Sequence, residues 1–133
     1  KMSKSANNVI NIFLDDKALR KQIMSIETDS TPLEDPKNPD SCNAFAIYKL
    51  LASESEIETM KANYLGGNYG YGHAKQALFE LIVEKFKNER AQYNYYMSNL
   101  TEVDELLRKG AQKASGVANG ILAKVREKLG FEN

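Results

Sequence analysis

Apolar side chains recur at intervals of three and four from Asp15 almost to the end of the chain, and polar or proline-rich stretches interrupt them. Asp15 and Asp16 are good N-cap types ahead of KALRKQIMSI, where Leu19, Ile23 and Ile26 share a face, so a first helix is expected there. The run TDSTPLEDPKNPDS ends it. All three prolines of the chain, Pro32, Pro36 and Pro39, fall in that run, which marks a loop that is long for a compact domain and of the kind that often carries function. CNAFAIYKLLAS reads as a second helix. Ser53 with Glu56 forms a capping-box pattern for a third, EIETMKANYL, which stops at Gly66 and Gly67, and GGNYGYG follows as a turn. HAKQALFELIVEKFKNERAQYNYYM, with Ala74, Leu78, Ile82, Phe86 and Tyr93 at helical spacing, predicts one long amphipathic helix. Thr101 with Asp104 resembles another capping box, opening a partner helix whose apolar face runs from Val103 through Ala114, Val117 and Ile121 to Leu129. The two are expected to pair as a C-terminal hairpin. Ahead of everything, VINIFL (Val9 to Leu14) suits a short extended segment, although periodicity does not settle so short a run. The pattern as a whole predicts an all-α helical bundle with a short extended N-terminal segment and no internal repeat.

Composition changes this picture in a few places. The chain has 133 residues, the size of one ordinary domain with one core. Lys and Arg balance Asp and Glu at 18 each, so only the distribution of charge is informative. The single cysteine, Cys42, has no internal disulfide partner, which fits a reducing compartment. No apolar run reaches the roughly 18 residues of a membrane span, and no secretory signal is read. His73 is the only histidine, which excludes a His-rich metal site. Gly67 to Gly72 has the glycine spacing of a phosphate loop, but His73 stands where lysine is required and no strand precedes it. The pairs Asp15/Asp16 and Glu54/Glu56 sit at helix starts, where the macrodipole accounts for them.

Charge is uneven along the chain. From Glu27 to Glu58 eight acids face Lys37 and Lys49, whereas from Lys85 onward nine basic residues face six acids. Lys85, Lys87, Arg90, Arg108, Lys109, Lys113, Lys124, Arg126 and Lys128 can form a phosphate-facing stripe, with Tyr93, Tyr95 and Tyr96 available for base stacking. The same pattern also describes an ordinary solvated helix face with tyrosines packed in the bundle. The first five residues, KMSKS, place Lys1 and Lys4 in a small polar loop. A lysine ammonium is a compact, mobile point charge suited to phosphate oxygens, Ser3 and Ser5 can add hydroxyl donors, and Met2 can anchor the loop. Lys/Ser mixtures are also common at solvated termini.

KMSKS followed by Ala6-Asn7-Asn8 resembles the signature loop of class I aminoacyl-tRNA synthetases. IMSIETDSTP, the DPKNPD loop, FAIYKLLAS, GYGHAK at Gly70 to Lys75 and GAQKA at Gly110 to Ala114 resemble, in order, the C-terminal part of the bacterial tryptophanyl-tRNA synthetases. The tyrosyl enzymes share KMSKS and stand as the nearest alternative, followed by a free-standing helical RNA-binding or protein-interaction domain. The resemblance implies that Lys1 and Lys4 are catalytic, closing over ATP with Met2, Ser3 and Ser5 while the tryptophan carboxylate attacks the α-phosphate and pyrophosphate leaves. Magnesium enters as the ATP counter-ion of the parent reaction, with no cofactor held by this part. It further implies that residues 1–14 are the signature loop and connector of a catalytic domain that lies upstream in the family, and residues 15–133 an anticodon-binding domain. The chain is thus expected to be a C-terminal fragment, inactive alone and monomeric although the parent is a homodimer, from a cytoplasmic enzyme whose partner is tryptophan tRNA. Two regions are candidates for that contact: Asp35, Lys37 and Asn38 as exposed groups reading base edges, and Arg90, Lys109 and Lys113 on phosphates.

Overall fold

The computed structural model describes residues 8–131. They form six α-helices and a single 3₁₀ turn, with no strand among the described residues. The helices are α1 (Asp16–Met24), α2 (Asn43–Lys49), α3 (Glu54–Gly66), α4 (Tyr71–Lys85), α5 (Lys87–Ser98) and α6 (Leu100–Leu129), with the 3₁₀ turn Pro39–Ser41 ahead of α2. The chain divides into two units, residues 1–91 and 92–133.

The core lies in the first unit. The Asp15 side chain accepts the Ala18 N–H at 2.9 Å, which starts α1 and turns Leu19 and Ile23 inward. Those two residues join Ala44, Phe45 and Tyr48 of α2, Met60 and Tyr64 of α3, and Ala74, Leu78 and Ile82 of α4 in one buried cluster. Spacings of three and four on each helix therefore converge on a shared interior, and each large side chain there contributes about 1.5–3 kcal/mol. Tyr64 is fully buried among rings, with centroids 5.5 Å from Phe45, 5.7 Å from Tyr69 and 6.0 Å from Tyr71. Its hydroxyl pairs with the Cys42 thiol at 3.2 Å, so the lone cysteine is a buried core residue. Glu56 closes the start of α3 by accepting from the Ser53 N–H at 2.7 Å, as the capping-box pattern predicts.

VINIFL forms neither a strand nor a helix. Ile10, Ile12 and Leu14 pack against the core, and the Asn11 N–H donates to Gln22 Oε1 at 2.8 Å, so the segment is tied to α1. The long helix expected over residues 73–97 is interrupted. It starts two residues earlier, at Tyr71, and breaks at Phe86, whose backbone (φ −104°, ψ 20°) leaves helical geometry while its ring packs on the core. The break lets Arg90 of α5 pair with Asp16 of α1.

The second unit holds the rest of α5 and the 30-residue α6. Asn99 separates them, so the expected capping box at Thr101 is displaced: α6 begins at Leu100 without a side-chain cap. Nor is a packed hairpin formed, because α6 buries none of its side chains, and Val117 and Ile121 of its apolar face are 65% and 60% exposed. Its end is well built. Gly130 adopts the left-handed conformation (φ 76°) and the Phe131 N–H reaches back to Arg126 O at 3.0 Å. Among the described residues no helix is long and apolar enough to cross a membrane.

Urea unfolding of single variants separates these environments. Leu78→Ala is expected to cost about 2–5 kcal/mol, as for deletion of a buried leucine. Val117→Ala is expected to stay within about 0.5 kcal/mol. Equal costs would show that α6 is packed.

Candidate functional site

The proline-rich loop between α1 and α2 is built around a lysine. Lys37 is only 2% exposed, and its Nζ donates to the carbonyls of Pro32 (2.7 Å), Leu33 (3.2 Å) and Asp35 (3.1 Å). An ammonium has three N–H donors, and three carbonyls take them. The same nitrogen lies 5.6 Å from the centre of the Tyr71 ring, whose face adds a cation–π contact. The Lys37 backbone N–H donates to Tyr64 O at 2.7 Å, which fastens the loop to the end of α3.

Two further contacts close the loop. Asp29 accepts the Thr31 N–H at 2.9 Å and the Tyr71 hydroxyl at 2.7 Å, pinning the loop entrance to the start of α4. The Thr31 side chain first, then the Tyr71 hydroxyl and the Thr31 N–H, hold the Asp29 carboxyl below its ordinary value of 3.8. Burial and the Asp29 contact push Tyr71 up to about 12, so it remains a donor across the neutral range. Gly67 then allows close approach from the other side. Its φ is +72°, and a Cβ there would sit 2.5 Å from Glu34 O.

The sequence-derived candidates divide accordingly. Lys1, Met2, Ser3, Lys4 and Ser5 lie outside the described residues. Asp35 and Asn38 are exposed as expected, and Asn38 Oδ1 accepts the Asp40 N–H at 3.0 Å, fixing its side chain at the head of the 3₁₀ turn. Lys37 is not an exposed reader of bases. It sits in the same loop, but its three donors are consumed inside. Arg90 is likewise corrected as a free phosphate ligand: its guanidinium is paired with Asp16 and its side chain is 15% exposed. Lys109 and Lys113 stand exposed on α6. Lys85, another cation of that stripe, serves the fold as well, since its Nζ donates to Leu51 O.

Asp29, Gly67, Tyr69, Tyr71 and His73 belong to this site and were not singled out as such from the sequence. Tyr69 and His73 pair with centroids 5.6 Å apart beside Gly70, whose Cα faces Leu33 of the loop. The signal was the GGNYGYG stretch itself, in which aromatic residues alternate with the glycines of a tight turn. Among the described residues no cluster of three or more His, Cys, Asp or Glu is placed to hold a metal ion. What the arrangement offers is a loop held in one shape, with Asp35 and Asn38 exposed on it.

The profile of the tRNA synthetases class I (W and Y) matches residues 1–87, and the chain belongs to that family of class I tRNA synthetases. Within it the similarity is to the tryptophan enzymes. The tryptophan–tRNA ligase of Rhodopirellula baltica is 43% identical over 98% of this chain and 41% of its own length. The crystal structure of tryptophanyl-tRNA synthetase from Campylobacter jejuni superposes with a TM-score of 0.93 at 45% identity, over 98% of this chain and 42% of that one. A second structure of that enzyme, complexed with ADP and tryptophan, matches with the same score over 41% of its chain. The chain thus spans between about three tenths and two fifths of the length of the curated relatives it matches.

Because the folded Asp29 has a depressed pKa, its contribution to the loop is present above the ordinary carboxylate value and is lost as pH falls through the lower, folded one. An acid titration followed by the Thr31 amide resonance should therefore show its midpoint below 3.8. In Tyr71→Phe the midpoint should move up toward that value. An unmoved midpoint in this variant would remove the Asp29–Tyr71 link.

Proposed function

We propose that this chain is the part of a tryptophan–tRNA ligase that runs from the signature loop through the tRNA-contacting helical domain. The parent enzyme activates tryptophan with ATP and transfers it to tryptophan tRNA in the cytoplasm. The observation that carries this reading is similarity over 98% of the chain, at 45% identity and a TM-score of 0.93, to a synthetase whose structure has also been described with ADP and tryptophan.

In the activation step a tryptophan carboxylate oxygen bonds to the α-phosphorus of ATP and the bond to pyrophosphate breaks. Lys1 and Lys4 match the family's signature lysines and are assigned to the negative charge that builds on the departing pyrophosphate. Magnesium accompanies ATP in that reaction, and we assign no ligand for it to the described residues. Toward tRNA, Asp35 and Asn38 are assigned to base edges, because they are exposed on a loop whose shape is fixed. Lys109 and Lys113, one turn apart on α6, are assigned to phosphates.

The test is binding of the purified chain to tryptophan tRNA at fixed moderate salt, beside the same tRNA with its anticodon replaced. Tighter binding to the native anticodon is expected. Replacing Lys109 and Lys113 together with alanine should weaken both complexes alike and reduce the slope of log K against log salt by about 1.4–1.8, the value for two released phosphate contacts. Equal affinity for the two tRNAs would overturn the assignment of Asp35 and Asn38, and an unchanged slope that of the lysines.

A further inference from the structure

We infer that Lys37 is a positioning residue for base recognition: it sets the specificity of the loop without touching the nucleic acid. The inference rests on the proposed role of Asp35 and Asn38 in reading tRNA. Its independent support is the geometry of the cage. With Nζ on three carbonyls at 2.7–3.2 Å and the side chain 2% exposed, no donor remains for a phosphate or a base. Those carbonyls belong to Pro32, Leu33 and Asp35, so the ammonium fixes the peptide that carries one reader, while its backbone N–H and the following residue, Asn38, carry the other. Gly67 seals the opposite side, with room for no Cβ against Glu34 O. A compact ammonium suits three converging carbonyls, and the larger planar guanidinium does not.

That difference makes the test. A lysine that contacts phosphate tolerates arginine, whereas a lysine that holds this cage does not. Lys37→Arg, Lys37→Met and, from the other side of the loop, Gly67→Ala are compared with the unaltered chain, with far-UV circular dichroism confirming that each folds. Affinities for tryptophan tRNA and for its anticodon-replaced form are measured across salt concentrations. All three variants are expected to lose the preference for the native anticodon by about tenfold, the size of one lost base readout, with the salt slope and the affinity for the replaced form unchanged. Amide exchange over Leu33 to Asn38 is expected to speed up in each. Retained preference in Lys37→Arg, or a smaller salt slope in Lys37→Met, would overturn the inference and make Lys37 a direct contact. An unaltered chain that does not distinguish the two tRNAs would overturn the reading of Asp35 and Asn38 instead. In that event unchanged amide exchange in the Lys37 variants would separately remove the positioning role.

Discussion

A charge withdrawn from water must be repaid by groups that replace its hydration, and the Lys37 ammonium meets that condition with three backbone carbonyls and an aromatic face. The constraint runs through much of the first unit. The chain must curl back on itself between Pro32 and Pro36 for the carbonyls to converge, and residues preceding proline favour the extended geometry that such a curl uses. Asn38, ahead of Pro39, shows it directly with φ −82° and ψ 112°. The loop must also lie against α3 and α4, because Tyr64 accepts the Lys37 N–H and Tyr71 supplies the ring. A loop of this length would ordinarily be mobile. Here it is an extension of the core.

Tyr64 is the other half of that connection. Its side chain is enclosed by Phe45, Tyr69 and Tyr71 and bonded to Cys42, while its carbonyl holds the loop. Burial, then the Cys42 contact, pushes its phenol far above the ordinary tyrosine range, so it stays neutral in the interior. One residue thereby transmits the packing of α2, α3 and α4 to the edge where Asp35 and Asn38 face outward. A loop held in this way has little ordering left to be done in any binding event.

Basic residues in this chain serve two ends. Lys37 donates to carbonyls of its own loop, whereas Lys75 and Lys85 donate to distant backbone carbonyls and Arg90 pairs with Asp16, so the last three stabilise junctions between segments distant in sequence. The lysines of α6 remain exposed, with Glu102 in its first turn and Arg126 and Lys128 in its last to suit the helix dipole. A count of charges along the chain therefore overstates the cationic surface of the first unit.

Local rules were enough to determine much of this protein. Asp15, Ser53 with Glu56, and Gly67 marked helix ends because capping depends on a few adjacent residues, and the spacing of Leu19, Ile23, Ala74, Leu78 and Ile82 identified the core because helical periodicity is local. The ordered motifs from KMSKS to GAQKA identified the family, and the loop at Pro32 to Pro39 was visible from its composition. Tertiary structure decided the rest. The three carbonyls that hold Lys37 lie within five residues of it, but the Tyr71 ring that completes the cage and the Tyr64 carbonyl that holds its N–H come from α4 and α3, which no local rule places beside it. Arg90 meets Asp16 across 74 positions, a pairing no window contains. The break at Phe86 and the exposed face of α6 have the same origin: periodicity says which side of a helix is apolar, and only the assembled chain decides whether anything covers it.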